Sequence, residues 1–239
     1  MTRFAALVSA LVFAGITFSS GAVAQSKWRN VNMGWKISCG VDAGAIRRKG
    51  RTYTFSTSNN LCESSGIFTQ RAEIYGSDIK VNQPMNYLFS TTIQFKAPVN
   101  KDFTLFQIHD GRLSCAPPLK LDWRANNRML FYSAYSLDKG VHDCVENRQM
   151  ISAKYTGPHL KRDGTAYELK VLLELDGAAG FRATVFVDNV KALSGQYEPP
   201  TDPRFFKSSK FYMKHGSYSR DVWRYQLTST DIRVARQKP

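Results

Sequence analysis

The sequence has no apolar run long enough to span a bilayer. A transmembrane helix needs about 20 predominantly apolar residues, and the best candidate, Phe4 to Phe18, falls short. It is poor in acid, with 19 Asp and Glu against 33 Lys and Arg, which leaves a formal charge of +14. There is no Cys-x-x-Cys pair and no Cys/His cluster at zinc spacing, so the common zinc and redox motifs are excluded. No window of a dozen residues carries a 3.6-residue apolar period, so helix should be scarce. No repeat, low-complexity tract or linker divides the chain.

What is there begins with an export signal. Arg3 precedes the apolar stretch, and Ala22-Val23-Ala24 supplies the small-x-small pattern of a cleavage site. Residues 1–24 are therefore expected to be a signal peptide, and residues 25–239 one exported domain, secreted or periplasmic. All-β domains of about 200–250 residues are common, so this length needs no division. Four cysteines, Cys39, Cys62, Cys115 and Cys144, lie in the exported part. An oxidising compartment predicts two disulfides, with three connectivities open. Cys39–Cys62 and Cys115–Cys144 are favoured because each closes a short loop. The positive charge calls for an anionic partner. Export points to an acidic polysaccharide, with no nucleic acid and no membrane, and no nucleic-acid motif is present.

Alternation and β-propensity predict strands at Thr52–Ser56, 67–75, 87–95, Phe103–His109, 119–124, 129–135, 167–175, Phe181–Val187 and 210–218, with Val190 starting a return. The basic run 46–51 reads as a solvated turn. Many short strands with Gly and Asn at the turns predict an all-β sandwich or jelly roll.

Three of these strands carry polar faces of a particular kind. Lys210, Tyr212, Lys214, Gly216, Tyr218 and Arg220 share one face of the last, with Phe211, Met213 and His215 opposite. Arg71, Glu73 and Tyr75 share a face of the strand at 67–75, and Gln107 shares one with His109. A solvated face tends towards Lys, Glu, Thr and Ser. Here the groups are ones that position and transfer protons. An acidic polysaccharide can be cut by β-elimination, which removes the C5 proton of a uronic acid and breaks the C4–O bond. The neighbouring carboxylate must be neutralised, a base must reach C5, and an acid must protonate the leaving oxygen. Arg71 and Gln107 suit the first task, His109 or Tyr218 the second, and Tyr218 the third. Lys214 is placed to hold substrate carboxylate and to lower the Tyr218 pKa.

Arg71-Ala72-Glu73, Gln107-Ile108-His109 and Lys214-His215-Gly216-Ser217-Tyr218 resemble, in order and rough spacing, motifs of the alginate lyases of polysaccharide lyase family seven. Those motifs run Arg-x-Glu-(Leu/Val)-Arg, Gln-(Ile/Val)-His and Tyr-Phe-Lys-Ala-Gly-x-Tyr-Asn-Gln. The resemblance implies a β-jelly roll (concanavalin-like sandwich) with a concave groove. It further implies that Arg71 and Gln107 neutralise the carboxylate, that His109 is the base, and that Tyr218 is the acid or both acid and base. Lys214, Arg220, Glu73, Tyr75 and Tyr212 are then expected to bind substrate. Tyr75 and Arg220 depart from the motifs, which leaves the uronic-acid polymer open between alginate, glucuronan and similar chains. No cofactor or metal is expected, structural calcium is left open, and the protein is expected to act as a monomer.

Two other functions compete. One is a non-catalytic carbohydrate-binding module on the same fold, which would not need Tyr218 to transfer a proton. The other is a retaining glycoside hydrolase, suggested by Glu174-Leu175-Asp176. That chemistry needs two carboxylates, and residue 179, where the second would stand, is Ala.

Overall fold

In the computed structural model, which describes residues 27–62, 68–113, 115–137, 143–151 and 154–239, the alternating runs become strands. The proposed signal peptide lies outside the described residues. In chain order the elements begin β1 (Arg29–Asn30), β2 (Lys36–Ile37), β3 (Ile46–Lys49), β4 (Thr52–Ser56), β5 (Gln70–Tyr75) and β6 (Ile79–Lys80). Then come β7 (Pro84–Lys96), β8 (Phe103–His109), β9 (Leu119–Trp123), β10 (Met129–Tyr132), β11 (Ala134–Ser136) and β12 (Cys144–Glu146). A one-turn helix, α1 (Arg148–Ile151), leads to β13 (Asp163–Asp176), β14 (Phe181–Val187), β15 (Val190–Tyr197), β16 (Lys210–Ser219) and β17 (Gln226–Gln237).

The strands form two large antiparallel sheets. The first runs β15-β14-β13-β7-β17-β4-β3, with β1 also on β17; the second runs β10-β9-β8-β16-β5-β2, with β6 also on β16. This is the β-jelly roll expected from the sequence. The inner faces meet in an aromatic core, where Phe89 lies 4.9 Å from Phe106 and Phe95 lies 4.8 Å from Phe103, centroid to centroid. Each such pair adds about 0.5–1.5 kcal/mol beyond its burial. His215 is part of this core and is fully buried, as its inward parity predicted. Its ring spans the sheets, with Nδ1 3.0 Å from the Leu105 carbonyl and Nε2 2.7 Å from Ser229 Oγ on β17.

The sequence does not announce β1, β2, β6 and β12, which are only two or three residues long, nor the longer β3 and β17. Residues 46–51 were read as a turn, but Ile46–Lys49 pairs along β4 as an edge strand, where charged side chains discourage edge-to-edge association. β17 was missed because a bulge between Thr230 and Arg233, with Asp231 at φ 59°, shifts its alternation. Leu227 and Ser229 face inward before the bulge, Ile232 and Val234 after it. Both favoured disulfides are present, Cys39–Cys62 and Cys115–Cys144.

Candidate active site

β5, β16, β8 and β9 stand side by side in the second sheet, and register decides what meets on its open face. Tyr218 lies opposite Arg71 on one side and Thr104 on the other; Lys214 lies between Tyr75 and Gln107; Tyr212 faces His109. Lys120 continues the row beyond Gln107, and Asp122 lies beyond Thr104. These side chains line a groove of about 990 Å³, which also takes in Arg124, Tyr132 and Arg220. A smaller cavity of about 450 Å³ shares Lys120, Asp122, Arg124 and Arg220 with it and extends towards Asp102 and Asp221.

The close approach of β16 to β5 depends on Gly216. Its φ is +142°, and a Cβ there would lie 2.2 Å from the Ala72 carbonyl oxygen. The absent side chain lets the β5 backbone close up on β16 there, between Lys214 and Tyr218 and opposite Glu73.

Glu73 is 1% exposed and lies beneath the groove rather than in its lining. It accepts from Gln107 Nε2 on one oxygen and from Lys214 Nζ at 2.7 Å on the other, with Arg71 Nε at 3.7 Å. One buried carboxylate therefore serves two buried cations, and the cluster keeps a surplus positive charge. Burial is expensive for an ammonium and pushes the Lys214 pKa down, against the pull of Glu73.

Tyr218 is 8% exposed. Its phenol oxygen accepts the Phe68 backbone N–H at 3.1 Å, and the Arg71 guanidinium sits 4.8 Å from its ring centroid. Burial raises its pKa above the usual phenol value, opposed by the Phe68 N–H and by Arg71. Lys214 does not bring about the expected lowering: its ammonium is engaged with Glu73, 5.9 Å from the ring centroid, and the net shift is upward.

His109 stacks on Tyr212 at 5.2 Å and 18°, and Tyr212 meets Tyr75 edge-on at 6.3 Å. The Gly111 N–H donates to His109 Nδ1 at 2.9 Å. Burial, reinforced by Lys214, pushes the ring's pKa down to about 3, so it is neutral across the physiological range. Just behind it, Asp110 and Arg112 form an ion pair with both side chains at 0% exposure. Arg112 also donates to the Ala134 carbonyl and to the Tyr197 hydroxyl, and Ser208 Oγ donates to Asp110. Burial would raise the Asp110 pKa, but Arg112 and Ser208 hold it low.

Eight of the nine expected site residues thus fall on strands of one sheet and Arg220 just past the end of β16; all of them line the groove except Glu73, which lies below it. The sequence reading did not find Asp110, Arg112 or the Phe68 amide. An Asp-Gly-Arg directly after a site strand was the available signal for the first two, but Tyr197 and Ser208 are remote in sequence. Thr104 was missed because Leu105 is an extra residue relative to β9, which turns Thr104 to the groove to donate to Asp122 at 2.7 Å. Lys120 Nζ stands 3.7 Å from the same carboxylate. The hydrolase motif has no such setting: Asp176 caps a turn, accepting from the Ala178 and Gly180 amides, and Glu174 is exposed. Among the described residues, no group of three or more His, Cys, Asp or Glu is placed to hold a metal ion.

No protein-family model and no curated protein matches the chain. Solved structures do. Alginate lyase A1-II', described as a member of polysaccharide lyase family 7, superposes with a TM-score of 0.57 at 14% identity, over 86% of this chain and 95% of that one. The fold is that of the family-seven alginate lyases. A second A1-II' structure, a complex with the substrate GGMG, gives a TM-score of 0.58 at 13% identity, over 86% of this chain and 93% of that one. An alginate lyase from Pseudomonas aeruginosa gives 0.52 at 15% identity, covering 81% and 86%. At such identities the likeness is one of fold, and the chemistry has to be argued from the groove.

Proposed function

We propose that the protein is an exported polysaccharide lyase that cleaves a uronic-acid-containing polysaccharide by β-elimination. The observation that carries this reading is the unbalanced charge under the groove, where Glu73 is shared by Arg71 and Lys214. A buried surplus cation is costly alone and favours an anion arriving from the groove. A uronate carboxylate seated there meets Arg71, the free amide hydrogen of Gln107 and the His109 ring. These groups stabilise the charge that develops when C5 loses its proton. Tyr218, beside Arg71, is the group that exchanges protons with the sugar. Two disulfides fit an oxidising compartment, and among the described residues no helix is long and apolar enough to cross a membrane.

The test is a panel of glucuronan, alginate, heparin-like chains and pectate, followed by the ultraviolet absorbance of a C4–C5 unsaturated uronate. Tyr218→Phe should cut turnover by about 10³-fold, within the usual range for acid–base groups, and leave polymer binding intact. Binding without any unsaturated product, unchanged by Tyr218→Phe, would instead identify a carbohydrate-binding module.

A further inference from the structure

Elimination needs a base at C5 and an acid at O4, and sugar stereochemistry decides whether one group can be both. In D-glucuronate and D-mannuronate the C5–H and C4–O bonds lie on the same face of the ring. In L-guluronate, L-iduronate and D-galacturonate they lie on opposite faces, so two groups must flank the sugar. Which class a groove can process therefore depends on whether a second base faces Tyr218.

His109 is the natural second base, and its local geometry removes it from that role. The Gly111 N–H occupies the lone pair of Nδ1. A neutral imidazole with Nδ1 accepting carries its hydrogen on Nε2. Nε2 is then a donor with no lone pair to offer. The other tautomer would set an Nδ1–H against the Gly111 N–H, two donors in contact. The turn cannot easily relax, because Gly111 is at φ +85° and the fully buried Asp110–Arg112 pair pins both flanks. Arg112 is in turn tied to Ala134 and to Tyr197, and the imidazole lies against Tyr212. The remaining candidates are committed as well. Glu73 is below the floor, Lys214 is bonded to it, Asp122 accepts from Thr104 beside Lys120, and Asp78 is paired with Lys210.

Resting on the lyase reading, we infer that Tyr218 performs both proton transfers on one sugar face, that His109 acts only as a donor to the carboxylate, and that the substrate is a polymer of 4,5-cis uronates, D-glucuronate or D-mannuronate. The Tyr218 phenolate takes the C5 proton, and the electron pair forms the C4–C5 double bond as the C4–O bond breaks. The same phenol returns that proton to the departing oxygen, which restores the phenolate. Asp110 and Arg112 are positioning residues, acting through the Gly111 turn on the tautomer of His109.

The test compares glucuronan and poly-D-mannuronate with poly-L-guluronate and polygalacturonate. If a flanking base is missing, kcat/KM on the first pair should exceed the second by about 100-fold or more, the usual worth of such a group. Equal cleavage of guluronate or galacturonate chains overturns the inference while leaving a lyase. No unsaturated product from any of the four overturns the lyase reading, and the inference with it. His109→Gln keeps an N–H near the place of Nε2 without a basic lone pair. It should stay within about tenfold of the parent on the cis polymers, whereas a 10³-fold loss with the fold intact would show that the histidine is a base. Nitrogen-15 spectra of the unmodified protein give an independent readout: the proton is expected on Nε2, and a resting ring protonated on Nδ1 contradicts the inference.

Discussion

Tyr218 is a base that must first lose its own proton, in a setting where burial holds its pKa above the ordinary phenol value. Arg71 favours the phenolate, Glu73 opposes it, and the Phe68 N–H gives it a hydrogen bond. Below that pKa the reactive fraction grows about tenfold per pH unit. The kcat/KM profile on the preferred polymer should therefore climb through neutral pH towards an alkaline maximum; a maximum at pH 5–6 would contradict a phenolate base. Glu73 offers a second test at this scale. Glu73→Gln leaves Arg71 and Lys214 buried without a counter-ion, at a cost of about 3–5 kcal/mol. Urea denaturation should show that loss, and Glu73→Gln paired with Lys214→Met should recover much of it.

At the scale of the element, β16 is where sequence was most informative. Its alternation identified the groove residues and placed Phe211, Met213 and His215 inward, because β5 pairs with it in unbroken register from Lys214 to Ser219. Legibility failed where alternation itself fails, at Leu105 in β8 and near Asp231 in β17, since a bulge reverses the inward parity without changing residue type. It failed differently for Asp110 and Arg112, whose respective partners Ser208 and Tyr197 are joined to them only by folding. Gly216 gives this scale its prediction. Gly216→Ala would drive a Cβ into the Ala72 carbonyl at a left-handed φ, costing about 2–4 kcal/mol through overpacking and strain. The loss should be read as a lower midpoint in thermal unfolding; an unchanged midpoint would mean that the two strands can separate freely.

For the whole molecule, the two sheets are bridged by a histidine that stays neutral. His215, at 0% exposure, has its pKa lowered to about 3 by burial, only partly offset by its bond to Leu105. The unfolded chain's histidine takes up a proton near pH 6.5, so between pH 6.5 and 3 the unfolded state binds more protons than the native one. Stability is thus unaffected by this group above pH 6.5 and falls as pH drops towards 3, by up to about 1.4 kcal/mol per unit. His215→Gln should flatten that limb of the stability curve, while His109→Gln, with its parent pKa also near 3, should flatten it further. The disulfides act at the same scale. Cys115–Cys144 spans 29 residues, and its removal is expected to cost about 3–4 kcal/mol. Because both cysteines line the groove, reduction should raise KM as well as lower Tm.

The supernumerary residue in β8 also bears on ancestry. Leu105 sets Phe103 and Thr104 half a period out of step with Gln107 and His109. Deleting it would restore plain alternation through Phe106, leaving Phe103 in the core and Thr104 on the groove side. A deletion confined to this position is therefore compatible with the facing of both halves of the strand. Homologues that lack the residue should then need a gap in mid-strand, three positions before Gln107 or closer, when their sequences are aligned with this one.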